Sequence, residues 1–147
     1  MEEDIMNCFS KKEWNKREVN MLSPLQLAYI GDAVYEVFVR TYLIENVNVS
    51  VNELHKKAIE FVKAKAQADI LYKIKDRLTE EEYTIVKRGR NSKSGTIPKN
   101  AEVSDYRYAT GFEALIGYLY LLEKKQRIKE IFDMVVDSFN NHSLSKE

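Results

Sequence analysis

The chain is expected to be all-α, and three observations point there. Five glycines and two prolines among 147 residues are few chain breakers, which favours long helices over many short strands and turns. Apolar positions recur at helical spacing, as at Leu27, Ile30, Val34, Val37 and Phe38. Ser23–Gln26, Ser50–Glu53 and Thr79–Glu82 each place Ser or Thr three residues before Gln or Glu, the pattern of a capping box at a helix start.

Residues 1–22 show no clear periodicity and read as an N-terminal extension, with Phe9 and Trp14 as candidates to pack on the domain. Residues 23–140 read as one domain, since a chain of this length can bury one real core but has little room for a second. Ser23 can cap, and Pro24 suits the first position of a helix running to about Glu45. That helix is apolar on most sides, as a central, buried helix would be. Behind Ser50 come Leu54, Ala58, Phe61 and Val62, then Ala68, Leu71, Tyr72, Ile74 and Leu78, on one bent helix or two. Thr79 opens a helix ending near Gly89. Periodicity stops from Gly89 to Ser104, and an internal loop of this length is usually functional or disordered. Ser104 is expected to cap a second central helix, again apolar nearly all round. A final amphipathic helix spans about Gln126 to Asn140, with Ile128, Ile131, Phe132, Val135 and Phe139 inward. Residues 141–147 read as a frayed tail.

Composition excludes several classes. A chain 44% hydrophobic and 31% charged is ordinary for a folded domain and unlike a disordered one. The single cysteine, Cys8, rules out an intramolecular disulfide and a thiol-rich metal site, and it suits a reducing cytoplasm. Met1 to Asp4 is acidic and lacks the order of a secretory signal. No apolar run approaches the roughly 20 residues of a membrane helix, so no membrane association is expected. Lys+Arg and Asp+Glu are both 23, so any case for nucleic acid must rest on local charge.

Two acids break the pattern. Asp32 lies in LAYIGDAVYEVFV and Glu113 in ATGFEALIGYLYL, both mid-helix in segments that otherwise read as core. Carboxylates are rarely buried unless paired or bound to a metal. One reading is a buried ion pair, or a carboxylate bonded to a neighbouring helix end. The other is a pair of oxygen ligands brought together by two packed helices, suited to a hard cation such as Mg²⁺. Gly31 beside Asp32, and Gly111 two residues before Glu113, indicate close approach of another backbone or of a ligand, because a mid-helix glycine costs about 1 kcal/mol against alanine.

The loop region is the second feature. Between Thr84 and Ala101 stand Lys87, Arg88, Arg90, Lys93 and Lys99 without an acid, among Asn91, Ser92, Ser94, Thr96 and Asn100. Such a segment is either a solvated charged loop or a surface for phosphates and 2′-hydroxyls. His55 and His142 have no partner at metal-ligand spacing. The tyrosines read mostly as core or interface.

AYIGDAVYE resembles the signature helix of the ribonuclease III family, and FEALIGYLY resembles its second acidic helix. ELHKKA, RGRNSKSGTIPKN and YRYATGFEALIGYLY extend the likeness, which is greatest to the Mini-ribonuclease III branch and covers about Leu22 to Phe139. The resemblance implies a helical catalytic domain that dimerises and uses Mg²⁺, with Mn²⁺ as a substitute, to cut duplex RNA into 5′-phosphate and 3′-hydroxyl ends. It assigns Asp32 and Glu113 as catalytic, metal-binding acids. With that activity, the basic segment is expected to contact RNA through Arg88, Arg90, Asn91, Lys93 and Lys99, and Arg107, one turn before Thr110, to reach a phosphate near the site; the resemblance implies a dimer contact from Tyr29. The implied substrate is the precursor of large-subunit ribosomal RNA, with a ribosomal protein as a further partner that presents it. The branch lacks a separate double-stranded-RNA-binding domain. Two signature acids of the larger enzymes are replaced here, by Ala28 and Thr110; waters or Glu36 are candidates to fill the gap. With only two acids left, a non-catalytic RNA- or ribosome-binding module of the same fold is the alternative.

Overall fold

The computed structural model describes residues 10, 12–92 and 102–145, with side chains as far as residue 140, and among these it is helical without strands. No helix of the described residues is long and apolar enough to cross a membrane.

Helix α1 (Lys16–Met21) is one that periodicity did not reveal, being under two turns long. Its signal is the cap. The Asn15 side chain accepts from the Glu18 N–H at 2.8 Å, and the Asn15 N–H donates to the Glu18 carboxylate at 3.1 Å. Val19 is fully buried, and Trp14 packs against the core. Phe9 lies outside the described residues.

Helix α2 (Pro24–Asn46) opens on the expected box, with Ser23 Oγ accepting from the Gln26 N–H at 3.1 Å and Gln26 Oε1 accepting in return at 2.9 Å. Helix α3 (Val51–Val62) realises only half of its box: Ser50 caps Glu53, whose carboxylate pairs with Lys56 instead. Lys63 then takes extended backbone, ψ 150°, so α3 and α4 (Ala64–Ile74) are two helices. A 3₁₀ turn (Lys75–Arg77) leads to α5 (Glu80–Arg90), whose Thr79–Glu82 box is complete. Helix α6 (Val103–Leu121) begins one residue before Ser104; Ser104 therefore sits in the first turn, and Glu102 takes the cap position without a side-chain hydrogen bond. Ser104 is thus not the cap that the sequence suggests. A short turn with Glu123 at φ 57° joins α6 to α7 (Lys125–Ser145).

Helix α6 is the axis of the fold. Every residue from Ala109 to Leu119 is buried except Glu113. It packs against α2, α4, α5 and α7. Tyr35 of α2 meets Phe112 edge-on at 5.2 Å and donates its hydroxyl to the Phe61 carbonyl of α3 at 3.0 Å, tying three helices together. Helix α2 buries the stripe Leu27, Ala28, Gly31, Tyr35, Val39 and Leu43, while Tyr29, Val37 and Ile44 face outward. Helix α7 is held by Arg127. Its guanidinium meets both Glu82 oxygens of α5 at 2.8 Å and donates to the Arg77 carbonyl. Burial works to raise the Glu82 carboxyl, but the hydrogen bonds from Arg127 and Thr79 outweigh it and hold it below the usual range.

The contact between α2 and α6 is backbone on backbone. A Cβ on Gly31 would stand 1.8 Å from the Glu113 carbonyl oxygen, and one on Gly117 would stand 1.9 Å from the Leu27 carbonyl oxygen. A second pair repeats the device: a Cβ on Gly89 of α5 would lie 2.8 Å from Gly111 Cα, and one on Gly111 would lie 2.7 Å from the Val86 carbonyl. Of the two readings of Gly31 and Gly111, neighbouring helix backbone is the one the structure shows. Gly31→Ala is expected to destabilise the fold by about 3 kcal/mol or more, because a rigid carbonyl cannot yield as a side chain end can. Urea unfolding measures this, and a loss under about 1 kcal/mol would contradict the packing described.

Candidate active site

The glycine crossing places the two acids. Gly31 fits against the carbonyl of Glu113 itself, so Asp32, the next residue along α2, stands at the point where α6 carries Glu113. Asp32 is exposed, and Glu113 is partly buried. The expectation that both acids are core residues therefore holds in part for Glu113 and not for Asp32.

Burial pushes the Glu113 carboxyl up to about 9, reinforced by hydrogen bonding to Asp32 and by its charge, while the Gln67 amide pulls the other way. Among the described residues, no Lys, Arg or His forms an ion pair with either acid. Two carboxyl groups side by side, one raised by burial and further by the other, are the arrangement that a divalent cation relieves. The donor set fits a hard, oxygen-seeking ion that keeps most of its positions for water and phosphate oxygens. Asp32 and Glu113 are the residues that would hold it.

The set is small. No group of three or more His, Cys, Asp or Glu able to hold a metal occurs among the described residues. Ala28 and Thr110, at the places of the two absent signature acids, are both buried, and Thr110 spends its hydroxyl on the Tyr106 carbonyl at 3.0 Å. Glu36, considered above as a substitute, is paired with Arg40 at 3.1 Å.

Gln67 was not singled out by the sequence. It lies on α4, 2% exposed, with its Nε2 donating to the Val62 carbonyl at 2.8 Å and its Oε1 without a partner among the described residues. A signal existed: Gln67 occupies the same stripe as Ile70, Leu71 and Ile74 at helical spacing, where an apolar residue belongs.

The expected RNA-contact residues divide. The Gly89–Gly111 contact brings the basic end of α5 against α6, two residues from Glu113. There Arg90 lies over the Tyr108 ring at 5.7 Å and bonds Asn91 Oδ1, and Asn91 is exposed. Arg107 is exposed as well. Arg88 donates to the Leu22 carbonyl at 3.3 Å and is partly buried, so it is engaged in tying α5 to the entry of α2. Lys93 and Lys99 lie outside the described residues. Tyr29 is 84% exposed.

The raised Glu113 makes a pH prediction. A carboxyl whose folded value lies above its unfolded one, about 4.3, contributes stability fully at pH below the unfolded value and loses it as pH rises through about 9. In chelator, Glu113→Gln, which has no proton to lose, should become more stable than the parent over that window, by about 1–3 kcal/mol at its alkaline end. Urea titrations from pH 5 to 9 test this, and a difference that does not change with pH would refute it.

Comparisons with known proteins identify the family. Residues 25–124 match the family model described as Ribonuclease III domain. A Mini-ribonuclease 3 of Clostridium tetani is 52% identical over 136 residues, covering 92% of this chain and 90% of the relative. One of Brevibacillus brevis is 54% identical over 121 residues, covering 82% and 90%. A crystal structure of a Fusobacterium nucleatum protein superposes with a TM-score of 0.74 at 38% identity, covering 82% of this chain and 96% of that one. An all-helical domain with two acids at a glycine-mediated crossing, matched along most of its length, belongs to the ribonuclease III family and, within it, to the Mini-ribonuclease 3 branch.

Proposed function

We propose that the chain hydrolyses both strands of duplex RNA, with Asp32 and Glu113 as catalytic acids that hold Mg²⁺, or Mn²⁺ in its place. The observation that carries this reading is the pairing of the exposed Asp32 with the raised Glu113 at one helix crossing. A bound divalent cation supplies a water made acidic enough to attack near neutral pH, and charge neutralisation on the phosphodiester. The chain's own residues supply the rest. The two helices fix the carboxylates on a rigid frame, so little reorganisation is left for the reaction itself. Arg90, Asn91 and Arg107, with Lys93 and Lys99 of the loop and Arg88 at its base, offer contacts to phosphates and sugars. A water oxygen bonds to phosphorus, the bond to the 3′-oxygen breaks and that oxygen takes a proton. The products are then 5′-phosphate and 3′-hydroxyl ends.

Duplex cleavage needs two sites, which favours a homodimer. The outward residues Tyr29, Val37 and Ile44 of α2 are 84%, 65% and 68% exposed. They share the side of α2 turned away from its own core, as an apolar seam for a second copy would. The substrate is proposed to be precursor large-subunit ribosomal RNA in the cytoplasm, presented with the help of a ribosomal protein.

One observation favours a second reading: with two acids and no larger cluster among the described residues, the fold could serve as a non-catalytic RNA-binding module. That module would bind duplex RNA equally with Mg²⁺ and with chelator, and cut in neither.

Two outcomes are expected. With Mg²⁺ and labelled duplex RNA the parent chain cuts, while Asp32→Asn and Glu113→Gln lose at least about a hundredfold in rate and stay folded. Uncut RNA, naked or on a ribosomal precursor particle, would favour the binding module. Tyr29→Arg should give a monomer by light scattering, and an unchanged dimer would remove Tyr29 from the seam.

A further inference from the structure

One buried polar group takes no part in the proposed reaction. Gln67 lies 2% exposed on the apolar stripe of α4, between Ala66 and Ala68, both buried. An amide there needs a reason, since a buried acceptor left without a partner costs stability that an apolar side chain of similar size would not. Among the described residues, Gln67 Oε1 is such an acceptor. Packing alone therefore favours leucine or methionine at this position.

The geometry of the amide supplies the reason. Its Nε2 donates to the Val62 carbonyl at 2.8 Å, at the break between α3 and α4. A carbonyl only accepts, so this bond decides which end of the amide is nitrogen and locks its rotation. Nε2 carries a second N–H; α4 packs against α6, and the Gln67 amide pulls the Glu113 carboxyl down against burial and Asp32. Glu113 therefore stands between Asp32 on α2 and an amide donor fixed on α4. Oε1 is closed to solvent, so it is not itself a ligand for a hydrated ion.

We propose that Gln67 is a positioning residue of the cation site: locked by the Val62 carbonyl, its amide holds the Glu113 carboxylate in place for a divalent cation that Gln67 does not touch. Groups that orient a metal ligand in this way typically contribute ten- to a hundredfold in affinity. The inference rests on Asp32 and Glu113 as the cation's ligands.

The test is calorimetric titration of the metal-free full chain with Mn²⁺, for the parent, Gln67→Leu, Gln67→Met and Glu113→Gln. Both Gln67 variants should bind Mn²⁺ about ten- to a hundredfold more weakly, with metal-free urea midpoints equal to or above the parent's. Their RNA KM should stay unchanged, and their lowered kcat should recover with excess Mn²⁺. Parental Mn²⁺ affinity in a folded Gln67→Leu or Gln67→Met overturns the proposal. So does loss of cooperative unfolding in both, which would make Gln67 a packing residue. Failure of the two-acid reading looks different: the parent itself would bind no Mn²⁺, or Glu113→Gln would bind it as the parent does.

Discussion

The structure depends on two helix backbones lying against each other without side chains between them. Gly31 of α2 meets the carbonyl of Glu113, and Gly117 of α6 meets the carbonyl of Leu27. Each glycine costs its helix about 1 kcal/mol of propensity. The return is an interhelical distance that no residue with a Cβ would permit. At that distance the residue after Gly31 and the residue whose carbonyl Gly31 touches are an aspartate and a glutamate. The site is thus a by-product of the closest contact in the fold, and a shift of one helix along the other would separate the acids.

Bringing two carboxylates together has an electrostatic cost, which falls on the more buried of them. Glu113 is the one residue from Ala109 to Leu119 that is only partly buried, and burial together with Asp32 raises its carboxyl. A site of this kind is frustrated without a cation and relieved with one, so that proton release accompanies binding. Ala28 and Thr110 keep the arrangement to two acids, and both are buried and quiet. A smaller acidic set has less negative charge for an ion to compensate, which places more weight on how well each ligand is held. The locked amide of Gln67 answers that need.

The surface follows the same division of labour. The formal net charge is zero, so no global field draws RNA in, and affinity must come from local groups. The basic end of α5 is pinned to α6 through Gly89 and Gly111, which brings Arg90 over Tyr108 of the helix that carries Glu113. Arg88 shows that a basic residue in such a run can also be structural, since its partly buried guanidinium donates to the Leu22 carbonyl.

Much of this was legible in the sequence for local reasons. Capping boxes at Ser23 and Thr79 are written in neighbouring residues, and they form as written; apolar spacing predicted the long helices because each helix needs a buried face. Asp32 and Glu113 stood out as acids in apolar strings, with glycines beside them. What tertiary structure decided is what depends on residues far apart in the chain. Helix α1 is too short to show a period and is held by burying Val19. Asp32 proved exposed although its string is apolar, because α2 turns only one stripe to the core. The choice between ligand and backbone as the neighbour of Gly31 required the position of α6. Gln67 belongs to the site only because α4 packs on α6, and a local pattern cannot report which distant carboxylate an amide will meet.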